Sequence, residues 1–392
     1  MAVALSQSNK LRAWWSHRQG LNSAPKSATP ADILAQSGWA RSVAGCGPYF
    51  TLFSRAAISR ETADRAQAAL EIHELPSVRA CTYVLPAEDF PLALTLAQSA
   101  GDGEMRVAEK LGVTVKEIDK LCQAVLAALE KSSLDPDGIR QATGKAVRSL
   151  GPEGQKKGLS STLPVALGKL QRSGDIRRIS TNGRLDNQRY QYTLWRPNPL
   201  RNSKIDPAQA ANELAKHFFH WIAPASVSDF QAFAGIGVKA AKAAVEPLKL
   251  QPSSKDSDLL LPPSERDAFA SFAPPKDPCY RLVMNLDSSM LLRRDLSILL
   301  DSKDAKHPFL PPDLLAPVQS PVILDRGRIV GLWEYDPASE SIAYLTFVKQ
   351  DSLLKQAISK TEEYIRTQLG DARTFSLDSP KSRAPRIAAL RS

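Results

Sequence analysis

The stretch G158-LSSTLPVALGKLQRSG-DIRRIS-TNGRLDN-QRYQYTL-W195, residues 158–195, decides how this chain reads. GLSSTLPVALGKLQRSG is a helical run. DIRRIS and QRYQYTLW are short, β-prone and basic, and the polar turn TNGRLDN separates them. A helix leading into a basic two-stranded hairpin is the outline of a winged helix, whose helix enters the major groove while the wing follows phosphates. Charge agrees with shape. Residues 140–196 hold twelve Lys/Arg (Arg140, Lys145, Arg148, Lys156, Lys157, Lys169, Arg172, Arg177, Arg178, Arg184, Arg189, Arg196). Only Glu153, Asp175 and Asp186 oppose them, so this window accounts for nearly all of the chain's net +10. Positive charge concentrated on one module points to nucleic acid, duplex DNA first.

Composition sets the outer bounds. The 392 residues are 43% hydrophobic and 23% charged, enough for two to four packed domains. The pI near 9.4 suits a polyanionic partner. No window is long and apolar enough for a membrane span, and MAVALSQSNKLRAWWS lacks the order of a signal peptide. Cys46, Cys81, Cys122 and Cys279 are scattered without a CxxC pair, the usage of a reduced cytoplasmic protein. A cytoplasmic, nucleoid-associated monomer without cofactor or metal is expected.

The same rhythm recurs along the chain. Thr29-Pro30-Ala31-Asp32 announces a helix that ends at Gly38, GPYFTLFSRA (47–56) a third and ETADRAQAALEIHE a fourth, before a strand VRACTYVLP (78–86). Residues 1–86 therefore form a first winged helix, 87–134 a helical connector and 135–198 the basic second winged helix. DPAQAANELAKHFFHWIA, SVSDFQAFAGI and VKAAKAAVEPLKL, with LKLQP and DLLLP as a less basic wing, make a third over 204–272. YRLVMNLD, SPVILD, RIVGLWEYD and IAYLTFV are strands of a mainly antiparallel α+β domain over 273–370, followed by a frayed basic tail at 371–392. The expected class is α+β, mostly helical: three tandem winged helices and a C-terminal sheet domain.

Several segments together resemble the AlkZ/YcaQ-like winged-helix DNA glycosylases. They are GPYFTLFSRA (47–56), HELPSVRACTYVLPAEDF (73–90), SVSDFQAFAGI (226–236), NLDSSMLLRRD (285–295) and SPVILDRGRIVGLWEYD (320–336). No single motif is specific, but their order and spacing cover most of the chain. The resemblance implies a concave basic channel and excision of bulky alkylated or cross-linked purines from DNA. It also implies a Q-x-Q or Q-x-D motif shortly before the Pro48-Tyr49 pair. That motif is missing: in QSGWARSVAGCGPY Gln36 is the only Gln and Gly38 sits where its partner should be, and, depending on the gap, the motif falls on Trp39 and Arg41 or on Ser37 and Trp39. The expected function is DNA binding of the repair-glycosylase kind, with N-glycosylase activity if the family's chemistry is retained. The alternative is a non-enzymatic winged-helix DNA-binding protein or transcriptional regulator.

Candidate residues follow. Ser160, Ser161 and Thr162 open the basic helix, where hydroxyls and free N–H groups suit a phosphate. Lys156, Lys157, Lys169, Arg172, Arg177, Arg178, Arg184 and Arg189 supply charge, and Arg79 lies on the strand that resembles a DNA-probing hairpin. Arg41, Ser42, Glu88 and Asp89 are the candidates for chemistry. Arg41 suits a phosphate better than a developing cation, Ser42 could hold a water, and Glu88 and Asp89 read first as an acidic helix start. His73 and Glu74 read as a surface pair, and Tyr49, Phe50 and Phe53 as core. His217 and His220, at i,i+3, lack a third ligand and read as a half-buried aromatic face. No HExxH, deaminase or P-loop pattern occurs.

Overall fold

The computed structural model describes residues 2–22, 27–100, 103–255, 257–308, 310 and 319–391. After α1 (Ala2–Arg18) come α2 (Pro30–Ser37), β1 (Ala40–Arg41), α3 (Gly47–Ala56), α4 (Arg60–Ala68), β2 (Ile72–Pro76) and β3 (Thr82–Pro86). Thr29 caps α2 in a capping box, Pro30 opens it, and Gly38 ends it at φ 99°. The strands form an antiparallel sheet in the order β1-β3-β2. Two expectations are corrected here. The fourth helix stops at Ala68, because Ile72–Pro76 gains a full ladder with β3 and buries Ile72 and Leu75. The strand expected from residue 78 begins at Thr82, because Val78–Ala80 is a tight turn with Arg79 and Ala80 at positive φ.

The next unit holds α5 (Phe90–Ala100), α6 (Gly103–Glu109), α7 (Val115–Leu129), α8 (Pro136–Thr143), α9 (Gly151–Lys156), α10 (Leu163–Arg172), β4 (Ile176–Ser180) and β5 (Tyr190–Leu194). The antiparallel β4–β5 hairpin follows α10 directly. Residues 103–134, part of the stretch 87–134 read as a helical connector, pack into this unit. Ala108, Ile118, Leu121 and Val125 share one core with Ile139, Leu163, Leu167, Ile176 and Tyr192, because the apolar stripe of α7 is what buries the inner face of α10.

Then come α11 (Pro207–Ile222), α12 (Val227–Ala234) and α13 (Val238–Val245), with a hairpin β6 (Gln251–Pro252) and β7 (Leu260–Leu261). Their core is continuous with that under α5 and includes Trp39, Tyr83 and Trp195. Then α14 (Arg266–Ser271), β8 (Tyr280–Val283), α15 (Ser288–Leu291), β9 (Val322–Asp325), β10 (Arg328–Asp336), β11 (Ser341–Thr346), α16 (Ser352–Tyr364) and α17 (Pro380–Arg391) complete the chain. The sheet runs β11-β10-β9-β8, antiparallel throughout. The tail is not frayed: α17 lies on β10 and β11, Ile387 and Leu390 are buried, and the buried Arg383 is bidentate to Asp371. A buried bidentate pair, Arg55 to Asp287 at 2.8 Å on both arms, ties α3 to the start of α15. Among the described residues no helix is long and apolar enough to cross a membrane.

Candidate nucleic-acid interface

The basic window is less positive in space than along the chain. Arg140 pairs with Asp137, Arg148 with Glu117, Lys156 with Glu153, Lys169 with Asp119, Arg184 with Asp186 and Arg196 with Glu130. Four of these carboxylates lie outside residues 140–196: Glu117 and Asp119 on α7, Glu130 just after it and Asp137 on α8. Most are exposed pairs, individually weak and able to exchange a carboxylate for a phosphate. Lys157, Arg172, Arg177, Arg178 and Arg189 form no ion pair among the described residues.

Three of these, Lys157, Arg172 and Arg178, line one cleft of about 480 Å³. Its other wall is the tip of the β2–β3 hairpin, through Pro76, Ala80 and Thr82, and its floor is the Pro164 and Gly168 face of α10. Glu104 of α6 is the acidic group in this wall, near Gly168 and Arg172. Arg178 stacks over the Tyr190 ring at 4.5 Å. Burial works against its charge, but Tyr192, Tyr190 and Glu74 together outweigh that and raise its pKa.

The sheet order β1-β3-β2 assembles a second feature, in the sheet whose hairpin tip walls the cleft but outside the cleft lining itself. Ser42 follows β1, and its N–H donates to the Thr82 carbonyl. Its hydroxyl donates to Glu74 Oε1 at 2.8 Å. Ala40, Val84 and Glu74 are in register across the sheet, so Glu74 and Ser42 share a face, while Arg41 is in register with Tyr83 on the other. Arg41 donates to the carbonyls of Ser42 and Thr82 and lies over the Tyr83 ring. The expected His73–Glu74 surface pair does not form. His73 is buried between Phe90 and Trp195, and burial, then Arg177, push its pKa down to about 3.

Glu88 and Asp89 stand in the turn that opens α5, as an acidic helix start would, while several other candidates are placed differently from expectation. Asp89 is buried, accepts from Trp39 Nε1 at 2.7 Å and lies 3.2 Å from His217 Nε2, which leaves it no free edge for a substrate water. Glu88 is exposed beside it. Thr162 is fully buried and its hydroxyl accepts the Arg148 N–H; Ser161 is buried in a bridge to Ser149. Only Ser160 of the three hydroxyl residues is exposed, since α10 begins at Leu163 and the preceding residues form a strand-like edge. Arg79 packs its stem against Gly235 and reaches the Ala232 carbonyl, so the first hairpin leans on the third unit. The second hairpin is docked too: Leu185 is buried in the core around Tyr49, and Arg184 reaches the Leu369 carbonyl. Arg177 is half-buried near His73, and Arg189 faces outward. His217 stacks on Trp221 as expected for an aromatic face; burial lowers its proton affinity, but Asp89 and then Glu213 and Glu88 outweigh this and raise its pKa. No group of three metal-binding side chains occurs among the described residues. Tyr49 and Phe50 are core, and Phe53 stacks on Tyr364.

Helix–hairpin units joined to an antiparallel sheet, with unpaired cations gathered in a cleft between the β2–β3 hairpin and α10, define a class of α+β protein suited to a polyanion. The chain belongs to the AlkZ-like DNA glycosylase family, whose model matches residues 35–375. Its fold is similar to that of the DNA glycosylase AlkZ of Streptomyces sahachiroi, with a TM-score of 0.70 and 17% identity over 94% of this chain and 98% of that one. Among curated proteins none matches the sequence significantly.

Proposed function

We propose that this chain is a DNA-repair N-glycosylase that grips duplex DNA at the cleft between the β2–β3 hairpin and α10 and excises bulky alkylated purines. The observation that carries this reading is the Glu74–Ser42 pair, held in the sheet whose hairpin tip faces the unpaired Lys157, Arg172 and Arg178 across the cleft. Three winged-helix units, over about 27–86, 103–198 and 204–262, would present the cleft, and a lesion-wrapping protein of this kind needs no second copy. Its substrate would place it at the nucleoid.

The chemistry asks for one well-held anion. In an N7-alkylated purine the base already carries positive charge. The C1′–N9 bond breaks with its electron pair leaving on the purine, the sugar becomes oxocarbenium-like, and water adds at C1′ while losing a proton. Glu74 is the group suited to stabilise that cation and accept the proton, with Ser42 fixing its orientation. It would take over the work that the family's missing polar pair does at positions 37–41. Trp39 is buried and Arg41, a cation, would repel the developing charge.

The test is release of N7-alkylguanine from an end-labelled duplex, read by alkali cleavage. Release above the spontaneous rate is expected, and Glu74→Gln should lower it by about 10²-fold while leaving duplex affinity within about twofold. Release unaffected by Glu74→Gln would remove the carboxylate from the mechanism. Tight, salt-sensitive binding without any release would favour the non-enzymatic DNA-binding reading, which the absence of Gln or Asp at 37, 39 and 41 supports.

A further inference from the structure

Residues 373–378, Arg-Thr-Phe-Ser-Leu-Asp, connect α16 to α17 and carry two large apolar side chains turned to solvent. Leu377 is 89% exposed and Phe375 41%. Single exposed hydrophobics are ordinary. Here the two stand at i,i+2 on a loop that is braced on every side. The Arg373 carbonyl accepts the Cys46 N–H at 2.9 Å, and the Ser376 N–H donates to Val43 O at 3.2 Å. Asp378 turns inward and accepts the N–H groups of Thr374 and Phe375 at 3.2 and 3.1 Å. Gln188, from the tip of the second hairpin, donates to Ser376 O at 2.8 Å. Gly45 approaches so closely that a Cβ there would lie 2.1 Å from the Thr374 carbonyl oxygen. The backbone is therefore rigid while its apolar side chains are left in water.

The loop's position says what they meet. Val43 is the residue after Ser42, whose hydroxyl holds Glu74. On the other side is the hairpin tip with the outward-facing Arg189, and Arg373 is in the loop itself. The nearby carboxylates are turned away: Asp378 into the loop, Asp186 onto Arg184. A rigid apolar point flanked by cations beside the candidate site fits the base stack of a duplex, where cations take the phosphates and the apolar group enters between bases. We propose that Phe375 and Leu377 form a wedge that enters the DNA stack beside the Glu74–Ser42 pair and opens it where pairing is already weakened. The proposal rests on the DNA reading above and adds how a distorted site is found.

The experiment uses the full chain, a duplex with 2-aminopurine beside a mispair, and the same duplex fully paired. The variant is Phe375→Ser with Leu377→Ser, at positions exposed enough to leave the melting temperature unchanged. Wild type should raise 2-aminopurine fluorescence and bind the mispaired duplex about tenfold more tightly than the paired one. The variant should keep the paired-duplex affinity and its salt slope, lose the fluorescence rise, and bind both duplexes alike. A variant that unstacks as well as wild type overturns the wedge, as does wild-type binding with no fluorescence rise. Absence of duplex binding by wild type would instead sink the DNA reading itself, and the wedge with it. Tip-dependent self-association, or tip-dependent binding to anionic vesicles without unstacking, would assign the loop to another partner.

Discussion

A buried histidine with no hydrogen-bond partner on either ring nitrogen is a pH liability, and among the described residues His73 is one. Its folded pKa of about 3 lies below the ordinary 6.5. Below pH 6.5 the unfolded chain takes up a proton that the folded protein refuses. Its contribution to stability is therefore whole above pH 6.5 and is lost as pH falls toward 3. At pH 5 the loss is about 2 kcal/mol. Denaturant titrations at pH 7 and pH 5 should show this decline in the wild type, and His73→Leu should flatten it; an unchanged slope would mean the imidazole finds a partner in solution. Adjacency in sequence suggests a surface pair of His73 and Glu74, and the sheet separates them. In a strand neighbours face opposite ways, so one is buried against Trp195 and the other meets Ser42.

At the scale of elements, charge and hairpins have to be considered together. The sequence window 140–196 counts charge without its neighbours in space, and α7 returns Glu117, Asp119 and Glu130 to it. The side chains best suited to test phosphate contact are therefore Lys157 and Arg189, unpaired and exposed, one by the cleft and one on the second hairpin. Reversing both to Glu should weaken duplex binding regardless of sequence and reduce the salt slope by about 2. An unchanged slope in a salt titration would place the phosphates elsewhere. Arg177 and Arg178 are poorer probes, since both are half-buried and their reversal would disturb β4 as well. The cap at Thr29 was readable because a cap needs only three residues of local sequence. β2 was not, because its ladder partner lies beyond a turn whose positive-φ Arg79 and Ala80 carry no glycine signal.

For the whole molecule, the first unit and the C-terminal sheet are joined through charge as well as apolar packing. Asp287 is buried; burial alone would raise its pKa, but Arg55 and Ser289 outweigh it and hold it low. Arg55→Met leaves that carboxylate buried and uncompensated, at a cost of about 3–5 kcal/mol. Adding Asp287→Asn should restore much of it. Denaturation midpoints of the single and double variants decide this, and additive losses would rule out the coupling. The pair matters beyond stability because α3 also anchors the second hairpin through Tyr49 and Leu185, so loosening α3 loosens both sides of the candidate site.

The sequence by itself determined many of the helices, the cap at Thr29, the basic hairpin, the strands of the C-terminal domain and the family resemblance. Each rests on local periodicity, turn chemistry or ordered motifs, which survive without knowledge of partners. Only the tertiary structure decided that residues 103–134 complete the core under α10, that the tail covers a sheet, that six of the twelve basic side chains are paired and that Asp89 is a buried tie. It alone brought Ser42 to Glu74, 32 residues away, and tied the loop that carries Leu377 to Val43. These depend on which surfaces meet, and a contact between distant residues leaves no periodic mark in either of the segments that make it.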